Sequence, residues 1–328
     1  MKKFGLALAF LLVVMPLRAD FLDGEAAFTS KRYSEAIQHF RPLADAGDFR
    51  SQYYMAYMYL NGYGTAKNER RGIEYLQKSL DQNYHLAQAL MGFLYSQGIG
   101  VPEDHKKAVA LYQKAADQGN TSALLNLGIA YYQGDGVPRN LTKAVELLKN
   151  IPVEQQPAAW RYLGDIYLTQ DAEADNAIAA YSAAAEEGDL PSYAALAEIY
   201  LKGRGVSRDT ERALKYYTYA ASRGYGPAQY ALGIIYVNGS DVPRDPVKGH
   251  AWLSWAVNQN YAPASTALTQ LKTEMSLSDL DRARQEFMNI QQHVLGKVES
   301  PFDEERKARE AELEMRRKQN RPGRRNRR

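Results

Sequence analysis

AQALMGFLYSQGIGVPEDHKKAVALYQKAADQGN, Ala87 to Asn120, is the stretch whose reading decides the fold. The residues that follow, Thr121 to Asn150, repeat its layout, and working outward uncovers further copies. Glycines are paired at Gly62/Gly64, Gly98/Gly100, Gly134/Gly136 and Gly203/Gly205, with Gly239 in the next copy. Tyrosines keep the same beat at Tyr59, Tyr95, Tyr131, Tyr167, Tyr200 and Tyr236. The period is 36 residues except for one 33-residue step between Tyr167 and Tyr200. The shortened copy is also the one whose loop, Gln170 to Asp175, lacks the glycine pair. Two independent markers thus place the deletion at one point, as expected of a repeat architecture.

Each copy reads as two helices. In Thr121 to Gln133, Leu124, Leu127, Gly128 and Tyr131 recur at spacings of three and four, the stripe of an amphipathic helix. Gly134 and Gly136 end it, because glycine reaches left-handed backbone angles without steric cost. If its φ is positive, changing such a glycine to alanine should cost on the order of 1 kcal/mol. Val137-Pro138 then imposes an extended residue before a second helix carrying Ala144, Leu147 and Leu148. One pair of such helices cannot bury both of its apolar faces, whereas stacking the next pair covers the one left open. The expected fold is therefore all-α, an α/α superhelical solenoid of stacked helix–turn–helix repeats. A closed helical bundle needs no fixed period, and six tyrosines in register require equivalent environments.

The Ala87–Asn120 copy and PAQYALGIIYVNGSDVPRDPVKGHAWLSWAVNQNY, Pro227 to Tyr261, resemble the Sel-one-like repeat, a 36-residue relative of the tetratricopeptide repeat. The resemblance covers roughly Ser51 to Ala262, within a repeat region placed at 48–262. Departures from the family pattern are the degenerate copy around Trp160 to Gly188, Ala56 and Ala197 at glycine positions, and Ser207 in place of the loop proline. Residues 20–47 look like a shorter tetratricopeptide-type capping pair. In 263–296, Ser276 suits the N-cap of a capping helix that sets Leu280, Ala283, Phe287 and Ile290 on one face. Residues 297–328 read as a charged, basic, disordered tail, in which the acid–base pairs after Glu299 could support a frayed, solvated helix and disorder is clearest beyond Asn320.

The chain has 328 residues, 45% hydrophobic and 24% charged, too apolar for a disordered protein. Tyrosine is over-used, 24 against 9 Phe, which suits repeated packing positions with one polar tip. The absence of cysteine removes disulfides, thiolate metal sites and cysteine nucleophiles. The five histidines never fall at ligand spacing with one another, so no metal and no cofactor is expected. At the N-terminus, Lys2 and Lys3 precede the apolar run Phe4 to Leu17, and Ala19 offers a cleavage point before Asp20. This is the pattern of a secretory signal peptide over 1–19, and it implies a periplasmic or secreted chain with no transmembrane segment once mature. Eight Lys or Arg in Arg316 to Arg328 and three in the leader account for more than the net +3, leaving −8 on Asp20 to Met315. An acidic body carries a basic tail.

The family resemblance implies that the first helix of each pair lines the concave surface. Counted from the tyrosine marks, the inward positions are Arg50, Tyr53, Tyr57, Asn61, Phe93, Gln97, Leu125, Ile129 and Gln133, then Arg161, Asp165, Glu198, Lys202, Tyr230, Ile234 and Asn238. An apolar groove flanked by a polar zone suits a partner helix or extended peptide. The competing reading is that Tyr53, Tyr57 and Phe93 only pack on neighbouring helices. The glycine pairs are not phosphate loops, since Val-Pro follows them where a P-loop needs Lys and Ser/Thr. Asp165 and Glu198, one repeat apart, are the sole candidates for a carboxylate pair, and Arg161 and Lys202, a turn away, are expected to hold them in exposed ion pairs. Trp252 and Trp255 read as core. No enzyme is expected. The leading functional reading is a periplasmic adaptor or scaffold holding a peptide or helix of an envelope protein. The alternative is an envelope-surface or secreted factor for a polyanionic glycan or a host protein. In that case Arg316, Arg317, Lys318, Arg321, Arg324, Arg325, Arg327 and Arg328 supply a salt-sensitive attachment to anionic envelope material. Export argues against nucleic acid.

Overall fold

The computed structural model describes residues 20–169, 174–240, 242–303, 306–307, 310–311 and 315. The leader at 1–19 and the basic residues 316–328 lie outside the described residues. Among the described residues the regular structure is helical, without strands. The chain forms two compact units, one ending at Ile151 and one beginning at Pro152. Both are built as the repeat predicts, from helix–turn–helix pairs stacked in chain order, the α/α solenoid class.

In the first unit α1 (20–29) leads into α2 (Tyr33–Asp45). The pairs α3 (Phe49–Asn61) with α4 (Glu69–Leu80), α5 (His85–Gln97) with α6 (His105–Ala116), and α7 (Thr121–Gln133) with α8 (Leu141–Lys149) follow. The first helix of each pair packs on its own second helix and on the second helix of the preceding pair. Start and stop are written locally. Asn68, Asp104 and Asn140 cap α4, α6 and α8, each side chain accepting from the backbone N–H three residues on. Within each pair the crossing is close: a Cβ on Gly128 would meet the Leu148 side chain at 2.7 Å.

The loop glycines do more than turn the chain. Gly134 closes α7 in the left-handed conformation, and Gly136, at φ +71°, lies against the first turn of α6 in the preceding pair. A Cβ there would sit 2.3 Å from the His105 carbonyl oxygen. The second glycine is thus a stacking residue, and the cost of about 1 kcal/mol expected from conformation alone is too small for it. Five of the six tyrosine marks, all but Tyr167 of the shortened copy, share one backbone environment. The carbonyls of Tyr59, Tyr95, Tyr131, Tyr200 and Tyr236 accept from the N–H of the next helix's N-cap residue at 2.8–2.9 Å. A cation lies over the rings of Tyr59, Tyr95, Tyr200 and Tyr236, supplied by Arg71, Lys107, Arg212 and Lys248.

In the second unit α9 (Pro157–Leu168) pairs with α10 (Ala174–Glu186), α11 (Leu190–Lys202) with α12 (Thr210–Ser222), and α13 (Gly226–Asn238) with α14 (Pro246–Asn258). α15 (Ala262–Glu274) covers α14 and the edge of α13, as the first helix of a further pair would. α16 (Leu277–His293) opens at Ser276, whose hydroxyl accepts from the Asp279 N–H, and buries Ala283 and Ile290. It does not pair with α15 but folds back onto α14, where Phe287 stacks on Trp255 at 4.4 Å and 6°. Trp252 is buried, as a core residue should be. No helix among the described residues is long and apolar enough to cross a membrane.

Candidate interaction surface

Three equivalent positions stand out on the first helices of the pairs in the first unit. Tyr57 on α3, Phe93 on α5 and Ile129 on α7 follow one another at 36-residue steps, all partly or largely open to solvent. Phe93 is the freest, 44% exposed, an unusual position for a large apolar ring. One helical turn further on stands a polar row, Asn61, Gln97 and Gln133. Asn61 donates to the Tyr57 carbonyl, and the Gln97 amide reaches Ser96 Oγ at 3.3 Å. Gln97, Ile129 and Gln133 meet across two repeats in a cleft of about 130 Å³ backed by Tyr112. Leu125 is half-buried beside them.

The aromatic residues nearer the N-terminus are more committed to packing. Tyr53 touches Tyr54, Tyr57 and Tyr84, and burial pushes its phenol up to about 12, with the neighbouring phenols adding to the shift. Tyr57 is edge-on to Phe28 and tilted against Tyr63. Arg50 lies over the Phe21 ring at 4.0 Å and pairs with Asp48. These residues belong to one network of rings joining α1 to α5, so only part of each ring is available to a partner.

In the second unit the equivalents of Tyr57, Phe93 and Ile129 are Asp165, Glu198 and Ile234. Asp165 accepts from the Tyr181 hydroxyl at 2.6 Å, and its carboxyl is raised above the usual range by burial, opposed by that hydrogen bond and by Arg161. Arg161 does not form an exposed pair with Asp165. Its guanidinium pairs at 3.2 Å with Asp189, the N-cap of α11, in a half-buried position. The reason is that Asp189 is fixed in place by donation from Ser192, while Asp165 is already held by Tyr181. Glu198 pairs with Lys202 and Arg204 at the surface, as expected. The carboxylate that bears on Asp165 is Asp189, and Glu198 is engaged with Lys202 and Arg204. Tyr230 packs on Tyr261 at 5.4 Å, and Asn238 is exposed.

A family model described as Sel1 repeat matches residues 21–48, 50–84, 85–120, 121–150, 190–225 and 226–261, more than half of the chain. The chain belongs to the Sel1 repeat family. Its matched Sel1 repeats include 21–48, while the shortened copy lies between matched segments. A Sel1 repeat protein from Oxalobacter formigenes has a solved structure similar to this one with a TM-score of 0.64 at 27% identity, covering 73% of this chain and 99% of that one. An immunity protein from Pseudomonas aeruginosa is similar at 24% identity and a TM-score of 0.43, covering 68% and 84%. A protective antigen of uropathogenic Escherichia coli is similar at 22% and 0.40, covering 81% and 73%. No curated protein matches the chain. Sel1 repeat proteins are generally scaffolds for protein interaction and generally not enzymes.

Two features of this Sel1 repeat chain were not legible from the sequence. Residues 296–303 dock on α11 and α12, so the tail expected to be disordered from 297 is ordered at its start: Gly296 N–H donates to the Ser222 carbonyl, Ser300 shares a hydrogen bond with the Tyr193 hydroxyl, and Phe302 lies 5.5 and 5.6 Å from the Tyr193 and Tyr216 rings. A single aromatic in a charged run shows no period by which to find it. Asp20, Asp23 and His39 place donor atoms within 4.8 Å of one another. Scanning for paired histidines passes over such a group, because α2 supplies the imidazole and α1 the carboxylates. Two of the three are exposed, as surface acids commonly are, and no role follows from them alone.

Proposed function

We propose that the protein is an exported, periplasmic scaffold that holds a peptide or helix of an envelope protein on the inner face of its repeats. The observation that carries this reading is the solvent-open row Tyr57, Phe93, Ile129 beside the polar row Asn61, Gln97, Gln133. Apolar anchors flanked by amide donors and acceptors at fixed steps suit a chain laid across successive helices. Export rests on the charged, apolar and small-residue order of 1–19. The test places a photo-crosslinking residue at Phe93 and, as control, at Lys114 on the exposed side of α6. A defined envelope-protein adduct at Phe93 only, lost when Gln97 and Gln133 are both changed to alanine, is the expected outcome. Equal adducts at both positions would remove the inner face from the account. N-terminal sequencing of periplasmic material should begin at Asp20, and recovery of an uncleaved cytosolic chain would refute the export.

A further inference from the structure

The second unit holds a cavity of about 540 Å³ between the C-terminal end of α10, the α11–α12 pair and the docked C-terminal segment. Its floor is aromatic. Tyr219 and Phe302 are half-buried, and beneath them Tyr193 packs at 4.4 Å from the Tyr219 ring and 5.5 Å from Phe302. Its rim is acidic on balance, with Glu186, Glu187, Asp303 and Glu310 against the single cation Arg306 among the described residues. Glu186 and Glu187 are exposed and form no ion pair among the described residues, while Asp303 pairs with Arg306 at 2.5 Å. The lining from Ala185 to Gly188 is also the end of α10, where the helix dipole places partial negative charge, although the Ala185 and Ala184 carbonyls accept from the Gly188 and Asp189 N–H groups. Aromatic faces, free carboxylates and a helix C-terminus converge on one preference, a cation with a planar, weakly hydrated head. Tyr219 already takes one such group, the Arg223 guanidinium, at 5.2 Å from its ring centre.

We infer that this cavity receives an arginine side chain from a partner polypeptide. A guanidinium stacks on an aromatic face while its edge binds a carboxylate through two N–H groups, a combination that an ammonium does not reproduce. The volume has room for the side chain with part of its flanking backbone. The site shares no residue with the inner face, so the two proposals stand or fall separately.

Isothermal titration of the mature full chain in 50 mM NaCl tests it, using acetyl-Gly-Arg-Gly-amide, its lysine counterpart and spermidine as probes. Saturable binding of the arginine peptide is expected, weaker with lysine, falling about ten-fold or more in a Glu186→Gln, Glu187→Gln double variant. Both changes are at exposed positions, and an unchanged circular dichroism spectrum confirms that the fold is kept. The Phe93→Ala variant should bind the arginine peptide as the parent does. Absence of saturable binding, or equal affinity in the double variant, overturns the inference. Spermidine binding as tightly as the arginine peptide also overturns it, by assigning the cavity to a free polyamine.

Discussion

Gly136→Ala should be among the most damaging single-methyl changes in the first unit, and Gly119→Ala measures how much of that damage is conformational. Both glycines have positive φ, +71° and +82°, so each alanine must adopt a left-handed geometry costing about 1–2 kcal/mol. They differ in what the new methyl meets. At Gly119 nothing lies within 4 Å, whereas at Gly136 the Cβ falls 2.3 Å from the His105 carbonyl oxygen and 2.5 Å from its carbon. Both atoms are backbone at the start of α6, so no side chain can swing aside. The loop must retreat by roughly 1 Å, and an opening of that size forfeits a quarter to a half of the dispersion energy of the contacts it separates. The expected cost is on the order of 3 kcal/mol for Gly136→Ala against about 1 kcal/mol for Gly119→Ala. Because stability in a stacked array is held repeat by repeat, a global melting point would blur the effect. Native-state hydrogen exchange should show the extra loss in the amides of α5 to α8. Equal losses in the two variants would refute the stacking role of the second glycine.

Further outcomes follow from single groups. His250, buried on α14 with Nε2 unpartnered, has its pKa lowered by burial and by Lys272 on α15 and Arg284 on α16. The unfolded chain therefore binds this proton more readily, and stability should fall as pH drops below about 6.5 toward the depressed folded value. The urea midpoint of His250→Gln should lose that slope, and an unchanged slope would exclude His250 as its source. Asp165 has the opposite sense: its carboxyl is raised, so the folded state favours the proton and the penalty is full once pH exceeds the folded value. Asp165→Asn, which keeps an acceptor for Tyr181, should leave stability at pH 7 unchanged or slightly higher, while Asp165→Ala should lower it by about 1–2 kcal/mol through the orphaned hydroxyl. A stability loss in the asparagine variant equal to that of alanine would contradict this. Phe302→Ala should speed exchange of the Gly296 amide, whose acceptor is Ser222, without touching α3 to α8. Undisturbed protection at Gly296 would mean that the ring does not hold the segment down.

How far the sequence reaches depends on whether a contact recurs. The helix–turn–helix order and the glycine turns were legible because each is a local preference repeated every 36 residues, so that one copy corroborates another. The shortened fifth copy was legible for the same reason, as two markers slip together at Tyr167 to Tyr200. The register marks equivalent positions on the first helices, but counting cannot tell that Tyr53 is spent on packing while Phe93 stays open.

Contacts that happen once were decided by tertiary structure alone. Arg161 turns from Asp165, four residues away, to Asp189 across the helix pair, because the N-cap carboxylate is rigidly placed and largely shielded from solvent. α16 leaves the stacking pattern and lies on α14, and Phe302 finds the Tyr193 and Tyr216 rings more than 80 residues back along the chain. A period encodes neighbours, since each copy meets the next through the same few side chains. A lone ring or carboxylate has no second copy to announce its partner, and the choice is made only when the folded chain brings the rival partners within reach.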